Sequence, residues 1–534
     1  MCNNDREDSS QPSVTERQSP LFSRRQLLGT ASAVGGSLLA GKLLATERGQ
    51  PRQSPAEPKF LIVLACTGGA SAIDGPLAIR ASESKNASTI HCFEDSLVQN
   101  IDGTDLRAVN QDLSALGPIP IPVKARHGQY VQKLSQDMMV ATWTRTSVNH
   151  AVGQRRSVTG NGALHGRTLQ EAVAMTHGSQ FVLPNVHLVA GTSYTDRGTD
   201  DTLPPWAYGE TVVDPGTWPL SLSAQRGILD VPSPSLLAKA RALRNNKLDT
   251  QSLFSRVFGT APRLQHWQHM RGAPQQALEA QDLISKLMVR PDSPDFPLNA
   301  YGLGSSPDAD KVRNAFPNYA TDPLHAQAAL AFLLLKYRLS VTVTLGPTFA
   351  TVVEEGVDLT GAYGLSGGGG GGGKKLTEGS IDNPPIAFDF SHQAHRAVQG
   401  LMWERVYAVA DGLIELLKQE EWAGGGSMWD RSMIYFATEF GRSKTRPENA
   451  KEFATGHDLN NAAVVLSPMV PGGKVLGGVD PDTALTYGFD PNTGVADKGR
   501  EMTEPEIYAG LAHTLGVDTT GSDLPDMRAM RKKA

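Results

Sequence analysis

The sequence predicts an α/β protein built on a doubly wound, mostly parallel sheet that is flanked by helices. Short runs rich in β-branched and other apolar residues alternate with segments in which apolar residues recur every three or four positions. Strands that alternate with helices over several hundred residues indicate parallel strands joined by helical crossovers. With 40% hydrophobic and 20% charged residues the composition is that of an ordinary globular protein, and the chain is long enough to bury a large core.

Seven apolar runs are predicted strands. In chain order they are residues 60–66, 139–144, 181–190, 340–345, 385–390, 432–438 and 462–467. The clearest helix begins near Ala394, because apolar residues recur at steps of three and four from Val398 to Leu416 and form one face. Shorter predicted helices cover residues 168–175, 236–243, 276–288, 326–337 and 505–515.

Two insertions interrupt the α/β domain, which is predicted to span residues 59–520. Residues 199–324 are rich in proline, tryptophan and polar residues, and we interpret them as an inserted cap or subdomain, largely helical or irregular. Residues 352–384 include a run of glycines from Gly367 to Gly373, which is costly to order and predicts a flexible insertion. Residues 521–534 are expected to form a polar tail.

The first 45 residues have the pattern of an export signal. Ser23-Arg24-Arg25-Gln26-Leu27-Leu28 precedes a run of small and apolar residues to Ala45 that is too short and too weakly apolar to span a bilayer. This pattern resembles a twin-arginine signal, with residues 46–58 as a linker; a short buried helix with a chance arginine pair is the alternative. The resemblance implies export of the folded chain by the twin-arginine machinery to the periplasm or cell surface, a route often taken by proteins that carry a cofactor.

Charge and hydropathy exclude several kinds of partner. A net charge of −5 without a basic stripe disfavours nucleic acid. No later stretch reaches the eighteen or so apolar residues of a membrane span, so the sequence predicts no stable transmembrane anchor. The expected partner, besides the export machinery, is an unidentified small-molecule or glycan ligand.

Polar residues that follow predicted strands are candidate site residues, since ligands of open α/β sheets bind beyond the carboxyl ends of the strands. Asp389 and His392 lie three positions apart where a strand turns into a helix, so one carboxylate oxygen and one imidazole can reach a single cation. His457 could complete a three-ligand site, the pattern of hydrolytic zinc centres. His395, one turn along the helix, is either an alternative ligand or a packed residue.

The same residues carry a family resemblance. Thr438-Glu439-Phe440-Gly441-Arg442, the His457 that follows, and segments 147–160, 389–392 and 505–516 are similar to elements of one family. With them the chain resembles an uncharacterised exported bacterial family, a domain of unknown function, grouped with the alkaline phosphatase-like superfamily of metal-dependent phosphate and sulfate ester hydrolases. The resemblance covers most of residues 58–520. It implies an alkaline phosphatase-like fold, and the expected cofactor is a divalent metal, Zn, Mn or Ca.

Three positions depart from the superfamily pattern. Thr67 stands where a carboxylate follows the first strand, and Phe440 stands where a histidine would bind a second metal. Counting back from Thr159-Gly160, the nucleophile position falls on His150. His150 could therefore be a nucleophile, a general base or another ligand.

Glu439 and Arg442 are further catalytic candidates. Arg442 could bind a phosphate, sulfate or carboxylate through paired donors, or form a structural salt bridge with Glu439 or a neighbour. Glu439 could be a ligand, a general acid or a hydrogen-bond acceptor that orients a loop. Asp74, in the loop after the first strand, could replace the missing carboxylate.

The sequence thus predicts an exported metal-binding protein, with a hydrolase of phosphate or sulfate esters as the first hypothesis. The second is a non-catalytic binding or assembly protein that keeps the fold. Missing metal ligands favour the second hypothesis, and the grouping of polar residues favours the first. The predicted metal ligands are Asp389, His392 and His457. The predicted catalytic residues are His150, Glu439 and Arg442.

Overall fold

A computed structural model describes most of the α/β domain. The described residues are 57–113, 124–222, 232–261, 264, 265, 267, 268, 271, 283–347, 387–392 and 394–532. The predicted signal, nearly all of the linker and the glycine-rich insertion lie outside the described residues, so these three assignments stay predictions. No helix within the described ranges is long and apolar enough to cross a membrane.

Strands and helices alternate along the described chain. The strands are β1 (Phe60–Cys66), β2 (Val98–Asn100), β3 (Arg107–Asp112), β4 (Lys124–Arg126), β5 (Met138–Trp143), β6 (Asn185–His187), β7 (Glu210–Thr211), β8 (Thr342–Leu345), β9 (Ser432–Thr438), β10 (Gly441–Arg442), β11 (His457–Asp458), β12 (Asn461–Leu466), β13 (Lys474–Leu476), β14 (Gly478–Val479), β15 (Thr486–Phe489) and β16 (Ala496–Asp497). The α-helices are α1 (His127–Leu134), α2 (His150–Thr159), α3 (Leu169–His177), α4 (Pro234–Leu243), α5 (Asp249–Gln251), α6 (Leu253–Phe258), α7 (Leu283–Leu287), α8 (Ala309–Ala315), α9 (Pro323–Lys336), α10 (His395–Lys418) and α11 (Glu504–Thr514).

An eight-stranded mixed sheet forms the centre of the fold, in the order β13-β5-β12-β9-β1-β8-β6-β7. β1 pairs in parallel with β8 on one side and with β9 on the other. Of these eight described strands, β12 alone runs antiparallel to its two neighbours, β5 and β9. The prediction of an α/β fold with a mostly parallel sheet and flanking helices is confirmed.

The core lies around β1 and β9, because both strands are apolar on both faces. Every residue of β1 and of β9 is buried, as expected for strands covered by helices on each side of a sheet. The long helix α10 presents the predicted apolar face to this core, with Met402, Val406 and Leu413 fully buried. Both strand predictions are confirmed to the residue, and the helix predicted from Ala394 begins one position later.

Two predicted strands are corrected. The strand expected over residues 385–390 is not formed in its described part, residues 387–390, because Phe388–His392 is a 3-10 helix. Its backbone is held to the loop after β1, where the Phe388 N–H donates to the Thr67 carbonyl at 3.0 Å, and so it does not join the sheet. The strand expected over residues 181–190 is shortened to β6, which begins directly after Pro184.

The predicted insertion and tail are partly built into the domain. Within residues 199–324, β7 is the edge strand of the central sheet and pairs with β6. The polar tail expected over residues 521–534 is also corrected, since Met527 and Met530 are 0% and 1% exposed in the main core. The short 3-10 helix that contains Met530 packs on α11, and so the described end of the chain is part of the folded domain.

Two fully buried histidines should make the fold sensitive to acid. The Nε2–H group of His127 donates to the Gly400 carbonyl at 2.8 Å, and burial lowers the pKa of both His127 and His187 to about 4. A histidine of the unfolded chain has a pKa of about 6.5, so the unfolded state binds more protons between pH 6.5 and 4. Stability therefore falls as the pH drops through this window, by about 2 kcal/mol per histidine between pH 7 and 5.

Urea unfolding at pH 7 and pH 5 measures this effect. The matched variant is His127→Gln, whose side-chain amide can donate the same hydrogen bond to Gly400 but does not titrate. The variant should lose less stability than the parent between the two pH values. An equal loss in both proteins would show that His127 does not contribute.

Candidate metal centre

Four side chains that can bind a metal meet beyond the carboxyl ends of the central strands. His150 is the first residue of α2, Asp389 and His392 lie on the 3-10 helix, and His457 lies on β11, which pairs with β10 just after β9. Their candidate ligand atoms all lie within 4.8 Å of one another. The structure thus brings the three predicted metal ligands together and adds His150 to them.

The separations suit a single cation. The Nε2 atoms of His392 and His457 are 2.8 Å apart. Oδ1 of Asp389 lies 3.4 Å from Nε2 of His150, 3.4 Å from Nε2 of His392 and 3.8 Å from Nε2 of His457. Ligands placed tetrahedrally around zinc at its usual bond lengths are about 3.3 Å apart, and the observed distances bracket this value. These residues could hold a metal ion.

Two of the imidazoles are held in the tautomer that metal binding requires. The Nδ1–H group of His457 donates to the Val148 carbonyl at 2.6 Å, and that of His150 donates to Oε2 of Glu439 at 3.1 Å. In the neutral ring, each bond leaves Nε2 without a proton and facing the other candidate ligand atoms. Metal-binding histidines typically have such a carbonyl or carboxylate partner at the second nitrogen.

Glu439 is placed behind His150 rather than among the ligand atoms. Its side chain is fully buried, and Oε1 accepts a hydrogen bond from the Gly68 backbone N–H. Gly68 has a φ of +99°, and a Cβ at this position would lie 2.0 Å from the Asp389 backbone nitrogen, so only glycine fits. Of the three roles considered for Glu439, this geometry matches that of an orienting acceptor.

Arg442 faces the protein rather than an open site. The side chain is 1% exposed. Its guanidinium donates to Oδ1 of Asp389 at 3.1 Å and to four backbone carbonyls, those of Gly68, Gly69, Phe388 and Thr455. The geometry favours the structural alternative for Arg442, which joins the loop after β1, the 3-10 helix and the loop before β11.

Phe440, which departs from the superfamily pattern, packs directly on a predicted ligand. Its ring stacks on the His457 imidazole with centroids 3.9 Å apart and an interplanar angle of 23°. The His150 ring meets Phe440 edge-on at 5.0 Å. A phenyl ring has no atom that binds such a metal ion, so Phe440 is not a ligand. Its packing instead fixes the orientation of two histidines.

Charges around the centre set the protonation of Asp389 and His150. Burial alone would raise the pKa of Asp389, but the adjacent imidazoles of His392 and His457 and the charge of Arg442 hold that pKa well below its usual range. Burial alone would lower the pKa of His150, yet the hydrogen bond and charge of Glu439 and the charge of Asp389 raise it. Asp389 is therefore an anion at neutral pH, ready to bind a cation.

The centre is reachable from solvent. The side chains of His150, Asp389, His392 and His457 are 33%, 25%, 37% and 17% exposed. An ion or small ligand can therefore enter without opening the core.

A second group of ligating residues lies behind the first and is completely buried. Its members, Asp74, His91 and His395, are at most 2% exposed. Oδ1 of Asp74 lies 3.1 Å from Nε2 of His91, and Oδ2 lies 2.9 Å from Nε2 of His395. Burial alone would raise the pKa of Asp74, but the two histidines hold it well below its usual range.

This second group forms a hydrogen-bond network in which Nδ1 of His91 is the one ring nitrogen without a hydrogen-bond partner among the described residues. Each carboxylate oxygen of Asp74 accepts one imidazole N–H, and Nδ1 of His395 accepts from the Thr455 hydroxyl at 2.8 Å. The Thr455 N–H in turn donates to the Ser391 carbonyl at 3.0 Å, next to the ligand His392. Although its atoms also lie close enough to hold a metal, the network connects the core to the loops that carry His392 and His457.

Two residues that the sequence offered as candidates for the metal centre lie instead in the buried network. Asp74, considered as a replacement for the missing carboxylate, and His395, considered as an alternative ligand, both belong to the buried network. His91 is the member of the network that was not predicted. It lies in a loop between Ile90 and Cys92 and belongs to no recognisable motif. Its only sequence signal is an isolated histidine flanked by apolar residues.

Comparison with known proteins finds no protein family, no curated protein and no solved structure that matches the chain. The functional proposal below therefore rests on the residues of this chain and their geometry.

Proposed function

We propose that the chain is an exported, divalent-metal-dependent hydrolase of phosphate or sulfate esters with an alkaline phosphatase-like fold. The observation that carries the proposal is the convergence of three imidazole Nε2 atoms and the Asp389 carboxylate within 4.8 Å, open to solvent. Export to the periplasm or cell surface rests on the twin-arginine pattern Ser23 to Leu28.

The ligand types favour zinc among the metals considered. Imidazole nitrogens suit zinc, whereas calcium takes six or more oxygen ligands. Three of the four candidate ligands here are histidines. Zinc is therefore the expected cofactor, with manganese as the alternative.

The charge balance favours an anionic substrate. The formal charges of the acidic and basic residues at the centre, Asp389, Glu439 and Arg442, sum to one negative charge. A divalent cation would reverse this to one positive charge and supply Lewis acidity to an ester bound beside it. His150 begins α2, so the positive end of that helix dipole adds to the attraction for a phosphate or sulfate group.

His150 is the residue best placed to move a proton. Glu439 holds its Nδ1 and stabilises the protonated ring, while Nε2 faces the centre. If Asp389, His392 and His457 bind the cation, His150 can take a proton from an attacking water and return it to the leaving oxygen.

One observation favours the alternative, a non-catalytic binding or assembly protein. If His150 also binds, four protein ligands complete a tetrahedral shell, which is typical of structural rather than catalytic zinc. The role of His150 therefore separates the two functions.

Elemental analysis and an ester-hydrolysis screen with two variants test the proposal. The purified chain should hold one zinc or manganese ion at this centre, and His457→Ala should lose it. His150→Gln should keep the ion but lose about a hundredfold or more of the hydrolysis rate. Loss of the ion in His150→Gln, without hydrolysis by the parent, would favour the binding protein, and absence of metal from the parent would contradict both.

A further inference from the structure

Residues 232–261 form a helical protrusion whose large apolar side chains face solvent. Of the residues in this range whose burial is described, none is buried. Seven of the fourteen exposed large apolar side chains among the described residues lie here. Clustered exposure of this kind marks an interaction surface, whereas single exposed apolar residues do not.

The apolar side chains recur at helical spacing. Four side chains of α6 are 50–73% exposed: Leu253, Phe254, Val257 and Phe258. The ring centroids of Phe254 and Phe258 are 5.0 Å apart. Positions i, i+1, i+4 and i+5 lie on one side of a helix, so these four side chains form one apolar face.

The preceding helix carries a similar stripe. Leu236 and Leu243 of α4 lie seven positions apart, on the same face, and are 57% and 51% exposed, with Leu248 following at 61%. The N–H of Leu236 is capped by the Ser233 hydroxyl, and Pro234 occupies the first turn, so the sequence itself specifies the start of this helix. The protrusion is thus a formed structure with two apolar faces.

The same segment is strongly basic in an acidic chain. Residues 232–261 contain five basic residues, Lys239, Arg241, Arg244, Lys247 and Arg256, and one acidic residue, Asp249, which gives a formal charge of +4. Asp249 is itself paired with Arg271 at 2.5 Å. The whole chain carries −5. Exposed apolar faces beside several cationic side chains are the combination that binds an anionic membrane surface.

We propose that this protrusion, residues 232–261, binds the surface of an anionic lipid bilayer. The apolar faces of α4 and α6 enter the boundary between headgroups and acyl chains, while Lys239, Lys247 and Arg256 pair with lipid phosphates. This surface goes beyond the proposed hydrolase function and does not depend on it. A second copy of the chain is the less favoured occupant, because two such protrusions packed face to face would bring charges of +4 together.

Vesicle co-sedimentation of the full chain tests the proposal, with phosphatidylglycerol-containing vesicles compared with pure phosphatidylcholine vesicles at low salt. The parent should bind the anionic vesicles. Phe254→Ser with Phe258→Ser should weaken binding by about tenfold or more, and Lys239→Gln with Lys247→Gln and Arg256→Gln by on the order of a hundredfold. Residues 1–45 are identical in all proteins, so any difference in binding between them comes from the substitutions.

The matched control is Val213→Ser with Val495→Ser, two side chains that are 79% and 66% exposed elsewhere on the protein. This control should bind vesicles as the parent does. Equal binding by parent and protrusion variants, or no binding by the parent, would overturn the proposal. So would a concentration-dependent dimer, detected by sedimentation, that the phenylalanine variant abolishes while vesicle binding is absent.

Discussion

Asp389→Asn should abolish tight metal binding, which is the largest functional effect that we expect from a conservative substitution. Oδ1 of Asp389 is the atom that Nε2 of His150, His392 and His457 share, at 3.4–3.8 Å. Asparagine keeps the shape of the side chain but removes the only charge among the four candidate ligands. We expect the affinity for zinc to fall on the order of a thousandfold, about 4 kcal/mol. Competition with a chromophoric chelator measures this change.

Glu439→Gln is the graded control for that measurement. It leaves every candidate ligand in place but replaces one of the two acceptor oxygens, which hold His150 and the Gly68 N–H, by an NH2 donor, and so it weakens the support that orients His150. Loss of such an outer partner typically reduces metal affinity 10–100-fold, less than the loss of a ligand. A zinc affinity of Asp389→Asn that equals the parent's, or that exceeds that of Glu439→Gln, would show that Asp389 is not a ligand.

Asp74→Ala should cause the largest loss of stability. Asp74 is the carboxylate on which two buried imidazoles depend, at 2.9 and 3.1 Å, and its removal leaves both without an acceptor. Removing one partner of a buried, hydrogen-bonded pair typically costs 3–5 kcal/mol. We expect a decrease of about this size in the free energy of unfolding. Urea unfolding in the presence of a chelator measures it without any contribution from bound metal.

Asp74→Asn separates the network from a metal site. The amide keeps one acceptor and can donate to a histidine in the other tautomer, so it should recover part of the stability lost by Asp74→Ala. Elemental analysis should give the same metal content for the parent and both variants. A second ion per chain that is lost with Asp74 would show instead that Asp74, His91 and His395 bind a metal.

Strands can be predicted accurately from this sequence where a continuous apolar run is buried on both faces. β1 and β9 are predicted to the residue because both of their faces are buried and the apolar runs are continuous. The prediction of a strand ending at Phe390 is wrong for its described residues. The Phe388 backbone bonds to the loop after β1, and residues 388–392 form a 3-10 helix. Hydropathy does not distinguish these two outcomes for a short run.

The sequence predicts which residues reach the candidate site, but it does not predict the hydrogen bonds that hold them there. Asp389 and His392 lie at the end of an apolar run, which forms a 3-10 helix and not a strand, and His457 lies between β9 and β12, so the carboxyl-end rule places all three at one edge. The partner of His150, Glu439, is 289 residues away in sequence, and no pattern specifies that hydrogen bond. The inward direction of Arg442 likewise depends on four backbone carbonyls that only the folded loops supply.

The candidate ligands come from three segments of the chain that are far apart in sequence, and this has a consequence for folding kinetics. His150, the 3-10 helix and β11 meet only when β1, β8 and β9 are already paired, so a partly folded chain has no complete binding site. A cation would therefore join late and stabilise only the native state. Such an interaction slows unfolding without speeding folding. The ion would slow unfolding and raise the equilibrium stability of the native state by the same factor, which lengthens the lifetime of the folded protein.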